Sequence, residues 1–166
     1  MWGIASRARS ACACPATTPP PLPLPRSGDR KDPAVLFPSL FVLLYLGHLL
    51  ADYPLQTDHQ AARKADQCAA GWAANLAHAA THVATCAAAL ALGALVLDDV
   101  TVSLPMVVAA LLWIGATHAF IDRRWPVAWW MNHTGQASWA VNGGATHVDQ
   151  TAHILALVLA ALALAA

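Results

Sequence analysis

Four pairs of side chains that can bind a metal ion or carry a proton recur along the chain at one spacing. The members of each pair stand four residues apart, which places both on one face of an α-helix. Each pair also lies at the edge of a different apolar segment. The pairs are His48 and Asp52, His78 and His82, His118 and Asp122, and Asp149 and His153. Imidazole and carboxylate groups are common ligands of transition metals, so these residues are the candidate metal ligands.

The composition is typical of a membrane protein. Of the 166 residues, 58% are hydrophobic and 11% are charged, whereas soluble domains carry about 25% charged residues. We therefore expect the lipid bilayer to be the main partner. Nine basic and nine acidic residues balance, and basic residues do not interleave with aromatic ones, so no nucleic-acid partner is expected. No nucleotide cofactor is expected either.

Four apolar segments are predicted to cross the membrane as helices, at residues 34–52, 72–97, 103–121 and 146–166. Each is close to the roughly 17–25 residues that a spanning helix needs. The second and third are joined by a few residues around Asp98 and Asp99, so they should be antiparallel neighbours. The predicted fold is an all-α, up-down-up-down four-helix bundle over residues 34–166. Residues 1–33, rich in proline and arginine, are predicted to form a disordered tail; a start codon set too far upstream is an equal explanation of this stretch.

Two connections are interpreted as surface segments. Residues 56–71 form a polar link with room for a short interfacial helix at residues 60–70. Residues 125–145 combine four tryptophans with several glycines, a mixture that predicts a loop lying at the membrane interface.

In this topology all four pairs fall on the same side of the membrane, within a turn or two of one surface. We call their eight residues the polar layer. Asp52 and Asp122 stand at helix C-termini, where the helix dipole disfavours an anion. Each should therefore have a cation nearby, supplied by a metal ion or by Lys64, Arg123 or Arg124.

Five imidazoles and three carboxylates favour zinc, manganese or iron, and they exceed what one tetrahedral ion needs. Two ions, or one ion with supporting groups, would use the surplus. Gln56, Asn75 and Gln150 are predicted to support the ligands by hydrogen bonds. A bound metal lowers the pKa of water and polarises a carbonyl or phosphoryl oxygen, which makes metal-dependent hydrolysis one expected activity. Serine or cysteine hydrolase chemistry is disfavoured because neither residue stands in the layer beside a histidine.

The motif His48-Leu-Leu-Ala-Asp52-Tyr-Pro-Leu-Gln56, followed by the other three pairs, resembles the DUF3307 family of small bacterial inner-membrane proteins. The likeness covers about residues 40–160. It implies a multi-pass protein of the inner membrane without an established activity. A more distant similarity joins the chain to bacterial inner-membrane proteins described as metal-dependent hydrolases, which also carry His-x-x-x-Asp at the edges of their spans. Neither similarity names a substrate.

Structural alternatives exist for the same residues. One His-x-x-x-Asp pair is an ordinary way to satisfy two polar groups, and four pairs in one layer favour a function. Thr146 and Asp149 match a helix capping box. His59, His133 and His147 fall in predicted loops and should be solvated. A second hypothesis is a non-catalytic membrane protein whose layer relays protons or ions or binds a partner, so the sequence leaves open whether the protein is an enzyme.

Charge predicts that the polar layer faces the cytoplasm. The links on its side carry two basic pairs, Arg63-Lys64 and Arg123-Arg124, whereas the opposite link carries Asp98 and Asp99. Positive loops tend to stay in the cytoplasm. Arg26, Arg30 and Lys31 in the tail oppose this assignment, but the loops carry more weight because the start of the tail is open to question and its other charges lie farther from the bilayer. The sequence is compatible with a homo-oligomer.

Overall fold

The computed structural model describes residues 33–97, 100 and 102–166, except the side chain of Ala34. The predicted tail, apart from Pro33, and the link at Asp98 and Asp99 lie outside the described residues. The described chain contains helices and no strand, which confirms the all-α prediction. The helices are α1 (Pro33–Asp52), α2 (Asp58–Arg63), α3 (Ala69–Val96), α4 (Leu104–Ile121), α5 (Trp125–His133), α6 (Ala137–Trp139) and α7 (Ala145–Ala165), with a π-helical segment at Ala140–Gly144 between α6 and α7.

Four of the described helices are long and apolar enough to cross a membrane: α1, α3, α4 and the run Ala137–Ala165, which contains α7 and is kinked at Asn142 and Gly143. Their outward faces carry large apolar side chains, such as Val42, Leu95, Leu112 and Leu155. A helix that is apolar all round is suited to lipid on one side and protein on the other. These helices begin and end close to the predicted spans, although α3 begins at Ala69 rather than at residue 72.

The four long helices pack as a ring in which α1 and α4 each contact both α3 and α7. Small residues allow close approach between neighbours. A Cβ on Gly47 of α1 would lie 2.9 Å from the Cα of Cys86 on α3. One end of the interior, which we call the apolar end, is filled by aliphatic side chains. Its largest buried residues are Leu36, Leu40, Leu44, Leu90, Val100, Ile114, Leu157 and Leu164.

The prediction of a loop at residues 125–145 was wrong, because most of this stretch is helical. On α5, Val127 and Met131 stand four residues apart and are buried against Ile121. The tryptophans on the other faces of α5 are exposed. Gly135, with φ of 74°, separates α5 from α6 instead of marking a long loop. The segment is therefore a surface helix with one apolar stripe.

The short helix in the polar link also differs from its prediction. It spans Asp58–Arg63 rather than residues 60–70, because Thr57 and Gln60 form a capping box at its start. The capping box predicted at Thr146 and Asp149 does not form. Since α7 follows the π-helical segment directly, Thr146 already lies inside the helix.

Candidate metal centre

Each of the four long helices brings one of the predicted pairs to the same place. The C-terminal ends of α1 and α4 carry one His and one Asp each, and the N-terminal parts of α3 and α7 carry the others. All five imidazoles are buried. The ring centroids of His82 and His118 are 3.5 Å apart, and those of His118 and His153 are 4.3 Å apart. The predicted gathering of the histidines is therefore present in the structure.

Three ligand atoms form a nearly regular triangle. Asp52 Oδ1 lies 3.1 Å from His82 Nε2 and 3.2 Å from His78 Nε2. The two histidine Nε2 atoms are 3.3 Å apart. Zinc–nitrogen bonds of about 2.0–2.1 Å give a tetrahedron with edges of about 3.3–3.4 Å. The triangle thus has the size of one face of a zinc coordination sphere, and His118 lies close enough to complete a group of four.

Hydrogen bonding among these groups does not account for their arrangement. His78 Nε2 faces Asp52 Oδ1, His82 Nε2 and, at 2.9 Å, Gln56 Nε2. A ring nitrogen either donates one proton or accepts with one lone pair, so it cannot satisfy all three neighbours. The Nδ1 atoms of His78 and His82 are buried without partners. Nitrogens that converge in this way fit a shared cation.

A second group consists of His118, Asp122 and His153. His118 Nε2 lies 3.1 Å from Asp122 Oδ2, and His153 Nε2 lies 3.9 Å from Asp122 Oδ1. Despite the short distance, His118 Nε2, Asp122 Oδ2 and His153 Nε2 lack a hydrogen bond of acceptable geometry. Burying an unsatisfied polar atom costs about 1–3 kcal/mol. His118 belongs to both groups, but an imidazole offers one nitrogen to a metal at a time, so it can complete only one of them.

Asp149 stands behind His153 rather than among the converging atoms. The Nδ1 atom of His153 lies 3.0 Å from the backbone oxygen of Asp149 and 3.5 Å from its Oδ2. This contact occupies one ring nitrogen and leaves Nε2 directed toward Asp122. Metal-binding histidines are commonly oriented by an acceptor on their other nitrogen.

His48 lies at the margin of the cluster. Its Nε2 is 3.1 Å from Asp52 Oδ2, yet it has no hydrogen-bond partner of acceptable geometry. Gln56 contacts His78, and Gln150 is partly buried on α7, three residues before His153. Asn75 is fully buried, and neither atom of its amide has a partner.

The structure assigns different tasks to the three predicted cations. Lys64 Nζ lies 3.0 Å from Asp122 Oδ1, as expected for a residue that offsets the helix dipole. The buried Arg123 instead donates to the backbone oxygens of Lys64, at 2.8 Å, and Asp66, at 2.6 Å. Its guanidinium also stacks over Trp72 at 4.2 Å. Sequence reasoning missed this role, because backbone carbonyl partners leave no mark in the sequence.

Arg124 is exposed and lines a cavity next to the polar layer, which we call the chamber. The chamber has a volume of about 590 Å³, and Asp122 and Asp149 form part of its wall. Lys64 and Gln56 line it as well. Small apolar side chains provide most of the remaining wall: Ala61, Val127, Ala128, Ala140 and Ala145. No sequence pattern indicates this cavity, because it depends on where α2 and α5 pack.

The three other histidines lie at the surface, in agreement with the sequence analysis. His59, His133 and His147 are all exposed. His133 caps its own helix through Nδ1, 2.7 Å from the backbone oxygen of Trp129. None of them belongs to either group of candidate ligands.

Comparison with known proteins agrees with the resemblance seen in the sequence. No curated protein and no solved structure matches the chain. The profile of the family described as "Protein of unknown function (DUF3307)" matches residues 40–166, which include the whole polar layer. The chain therefore belongs to the DUF3307 family.

Proposed function

We propose that this protein is a multi-pass membrane hydrolase whose polar layer holds a divalent metal centre at one membrane face. The observation that supports this most directly is the triangle of Asp52, His78 and His82, with separations of 3.1, 3.2 and 3.3 Å. A set of four nitrogen and oxygen ligands favours zinc over manganese, since manganese prefers six ligands in an octahedron. His118 completes the first ion's ligands.

A second ion would be held by Asp122 and His153, because His118 completes the ligands of the first. In this arrangement Asp149 orients His153, Gln150 supports His48 and Gln56 supports His78, and none of the three binds an ion itself. When bound, the metal supplies a water of lowered pKa and an electrophile for a carbonyl or phosphoryl oxygen. The protein itself holds the ligands in a buried layer. The chamber beside Asp122 is the place where a substrate would reach the metal centre.

The up-down-up-down topology is part of this proposal. It is supported by the contacts among the four pairs, because the ends of α1 and α4 meet the beginnings of α3 and α7 only if neighbouring long helices run in opposite directions. The short links at residues 53–68 and 97–103 agree with this arrangement.

We place the layer on the cytoplasmic side of the inner membrane. The basic residues of the two site-side links support this orientation. Cys68 gives a test, since it is exposed at the start of α3 on the same side. With Cys12 and Cys14 replaced by Ser, an impermeant maleimide should label Cys68 only after the cells are opened. Strong labelling in intact cells would place the layer on the outer face.

The metal centre is tested by elemental analysis of protein purified in detergent. His78→Ala and His118→Ala should lose most of the bound metal, because each removes a ligand from the buried groups. His59→Ala and His133→Ala are matched controls at exposed positions and should retain it. Equal metal content in all four variants, or none in the wild type, would contradict the metal centre and the hydrolase with it.

A non-catalytic relay of protons or ions is the second candidate. It is favoured by the unbroken contacts that run from His48 through Asp52, His82 and His78 to Asp122. However, among the described residues the fully buried side chains of the apolar end are aliphatic apart from the thiol of Cys86, so the chain of polar contacts lies across the bundle rather than through the membrane. Proton flux in protein-containing vesicles, lost in Asp122→Asn, would favour the relay over the hydrolase.

A further inference from the structure

The chamber differs from the polar layer in that its wall combines charges with small apolar side chains. Lys64 reaches it from the link after α2, and Arg124 reaches it from the turn before α5. Asp122 and Asp149 bring two negative charges to the same wall. These four charges cancel, so a divalent ion on the Asp122 side would leave the chamber with a net positive charge. Such a chamber suits an anion.

Arg124 is the cation most available to that anion. Among the described residues, no carboxylate lies within ion-pair distance of it, whereas Arg63 pairs with Asp66 and Lys64 pairs with Asp122. Arg124 also has a φ of 61°, in the left-handed region. A backbone conformation that an arginine rarely adopts is a candidate mark of function. Its guanidinium can donate hydrogen bonds to two oxygens of one phosphate at once.

The chamber also lies beside the helix with the most exposed tryptophans. Val127 and Ala128 of α5 line it, while Trp125, Trp129 and Trp130 on the same helix are exposed. Tryptophan is enriched at the level of lipid headgroups. An opening at that level, with alanines next to the cations, fits a molecule with a charged head and an apolar tail.

We propose that the chamber binds the phosphate of an amphiphilic phosphomonoester and that the metal centre hydrolyses this ester. The inference rests on the proposed function and names its substrate class. The oxygen of water forms a bond to phosphorus as the bond between phosphorus and the ester oxygen breaks. The ester oxygen leaves with a proton from the water, so the products are an alcohol and inorganic phosphate. A carboxylic ester is a weaker candidate, because it is uncharged and would not use the positive charges of Lys64 and Arg124.

The test uses the full chain in detergent micelles after metal loading. Binding of inorganic phosphate is measured by calorimetry, and hydrolysis is measured with dodecyl phosphate and with methyl phosphate. Arg124→Gln should weaken phosphate binding about tenfold, since a charge-assisted hydrogen bond is lost. Arg124→Lys should retain part of the affinity. Arg63→Gln is the matched control, because it removes an exposed cation that does not line the chamber.

Metal content in the same samples separates the possible failures. Wild type without metal overturns the proposed function and this inference together. Metal-loaded protein that does not bind phosphate, or that binds it equally in Arg124→Gln, overturns the inference alone. A lower KM for dodecyl phosphate than for methyl phosphate supports the lipid-like substrate. Equal KM values overturn that part, because they indicate a water-soluble phosphate ester.

Discussion

The two ends of the bundle are built from the same four helices and differ in how their interiors are specified. In α1, Leu40 and Leu44 are fully buried among aliphatic neighbours, whereas His48, one turn later, is buried with an unpartnered Nε2. Close packing needs only the right volume at the apolar end. At the polar end each buried nitrogen and carboxylate needs a specific partner. Stability and chemistry are therefore separated along the helices, so changes at the two ends should have different consequences.

The largest contrast is expected between His78→Ala and Leu40→Ala. His78→Ala removes a ligand from the triangle, so the protein should lose most of its metal. Leu40→Ala leaves a cavity at the apolar end and should lower the free energy of unfolding by about 2 kcal/mol or more. Elemental analysis and thermal unfolding in detergent measure the two effects.

One result would contradict this separation of the two ends. If Leu40→Ala removed metal as completely as His78→Ala, the polar layer would depend on packing more than a turn away. Asn75→Ala tests the same point at a third position, because Asn75 is buried beside the polar layer but belongs to neither ligand group.

Arg123→Ala should be the most destabilising change outside the two interiors. It removes two hydrogen bonds to the carbonyl oxygens of Lys64 and Asp66 and the contact with Trp72. We expect a loss of about 2–4 kcal/mol, since hydrogen bonds to charged groups contribute about 1.5–3 kcal/mol each without being additive. Thermal unfolding measures it. Arg124→Ala, an exposed neighbour, serves as the control, and equal destabilisation by both would contradict the role given to Arg123.

Gly47→Ala should have a smaller effect that reaches both ends. Its new Cβ would meet the backbone of Cys86, which cannot move aside, so α1 and α3 must separate. Overpacking of this kind typically costs about 1–3 kcal/mol, and the shift should also weaken metal binding through the adjacent His48. Gly115→Ala is the control, because its Cβ meets only a methyl group of Val83. Unchanged metal affinity in Gly47→Ala would show that the polar layer tolerates a change in helix spacing.

The smallest expected effect concerns the reactivity of Cys68 at the surface of the polar end. The backbone amide of Gly71 and the guanidinium of Arg63 lower the pKa of its thiol below the ordinary value. The thiolate is the reactive form, so labelling near neutral pH should be faster than for an ordinary cysteine and should slow as the pH falls through the lowered pKa. Arg63→Gln should raise the pKa and reduce the rate a few-fold at neutral pH. The test is the rate of maleimide labelling as a function of pH, in a chain without Cys12 and Cys14. Identical pH profiles with Arg63 and with Arg63→Gln would exclude Arg63 as a cause of the lowered pKa.

Much of the fold was predictable because two simple patterns dominate it. The apolar length of each long helix and the spacing of four residues within each pair are both local properties of the sequence. His48, His78, His118 and His153, one from each long helix, lie together at one end of the bundle. The same reasoning predicted Lys64 beside Asp122 as one of three possible cations.

The remaining features depend on tertiary contacts that no local pattern encodes. Arg123 and Arg124 are neighbours in the sequence, yet one is buried on carbonyl oxygens and the other is exposed. Asp149 has the same spacing from His153 as Asp52 has from His48, but it contacts the far side of the imidazole ring. The stretch that contains α5 was predicted to be a loop, because its glycines and tryptophans were given more weight than the single apolar stripe of Val127 and Met131.

The contribution of α7 to the ligand groups implies an order of assembly. Until α7 docks, His118 and Asp122 lack the imidazole of His153, and Asp52, His78 and His82 sit in a three-helix intermediate open on one side. Exposed ionisable groups are costly inside a bilayer, so this intermediate should be a preferred target for membrane proteases. The candidate ligands of the first ion all come from α1, α3 and α4, so we hypothesise that docking of α7, which supplies His153, is the last event of biogenesis and acts as a checkpoint on it. Pulse-chase measurement should show rapid degradation of a chain that ends before residue 137, and a lifetime equal to that of the full chain would contradict the checkpoint.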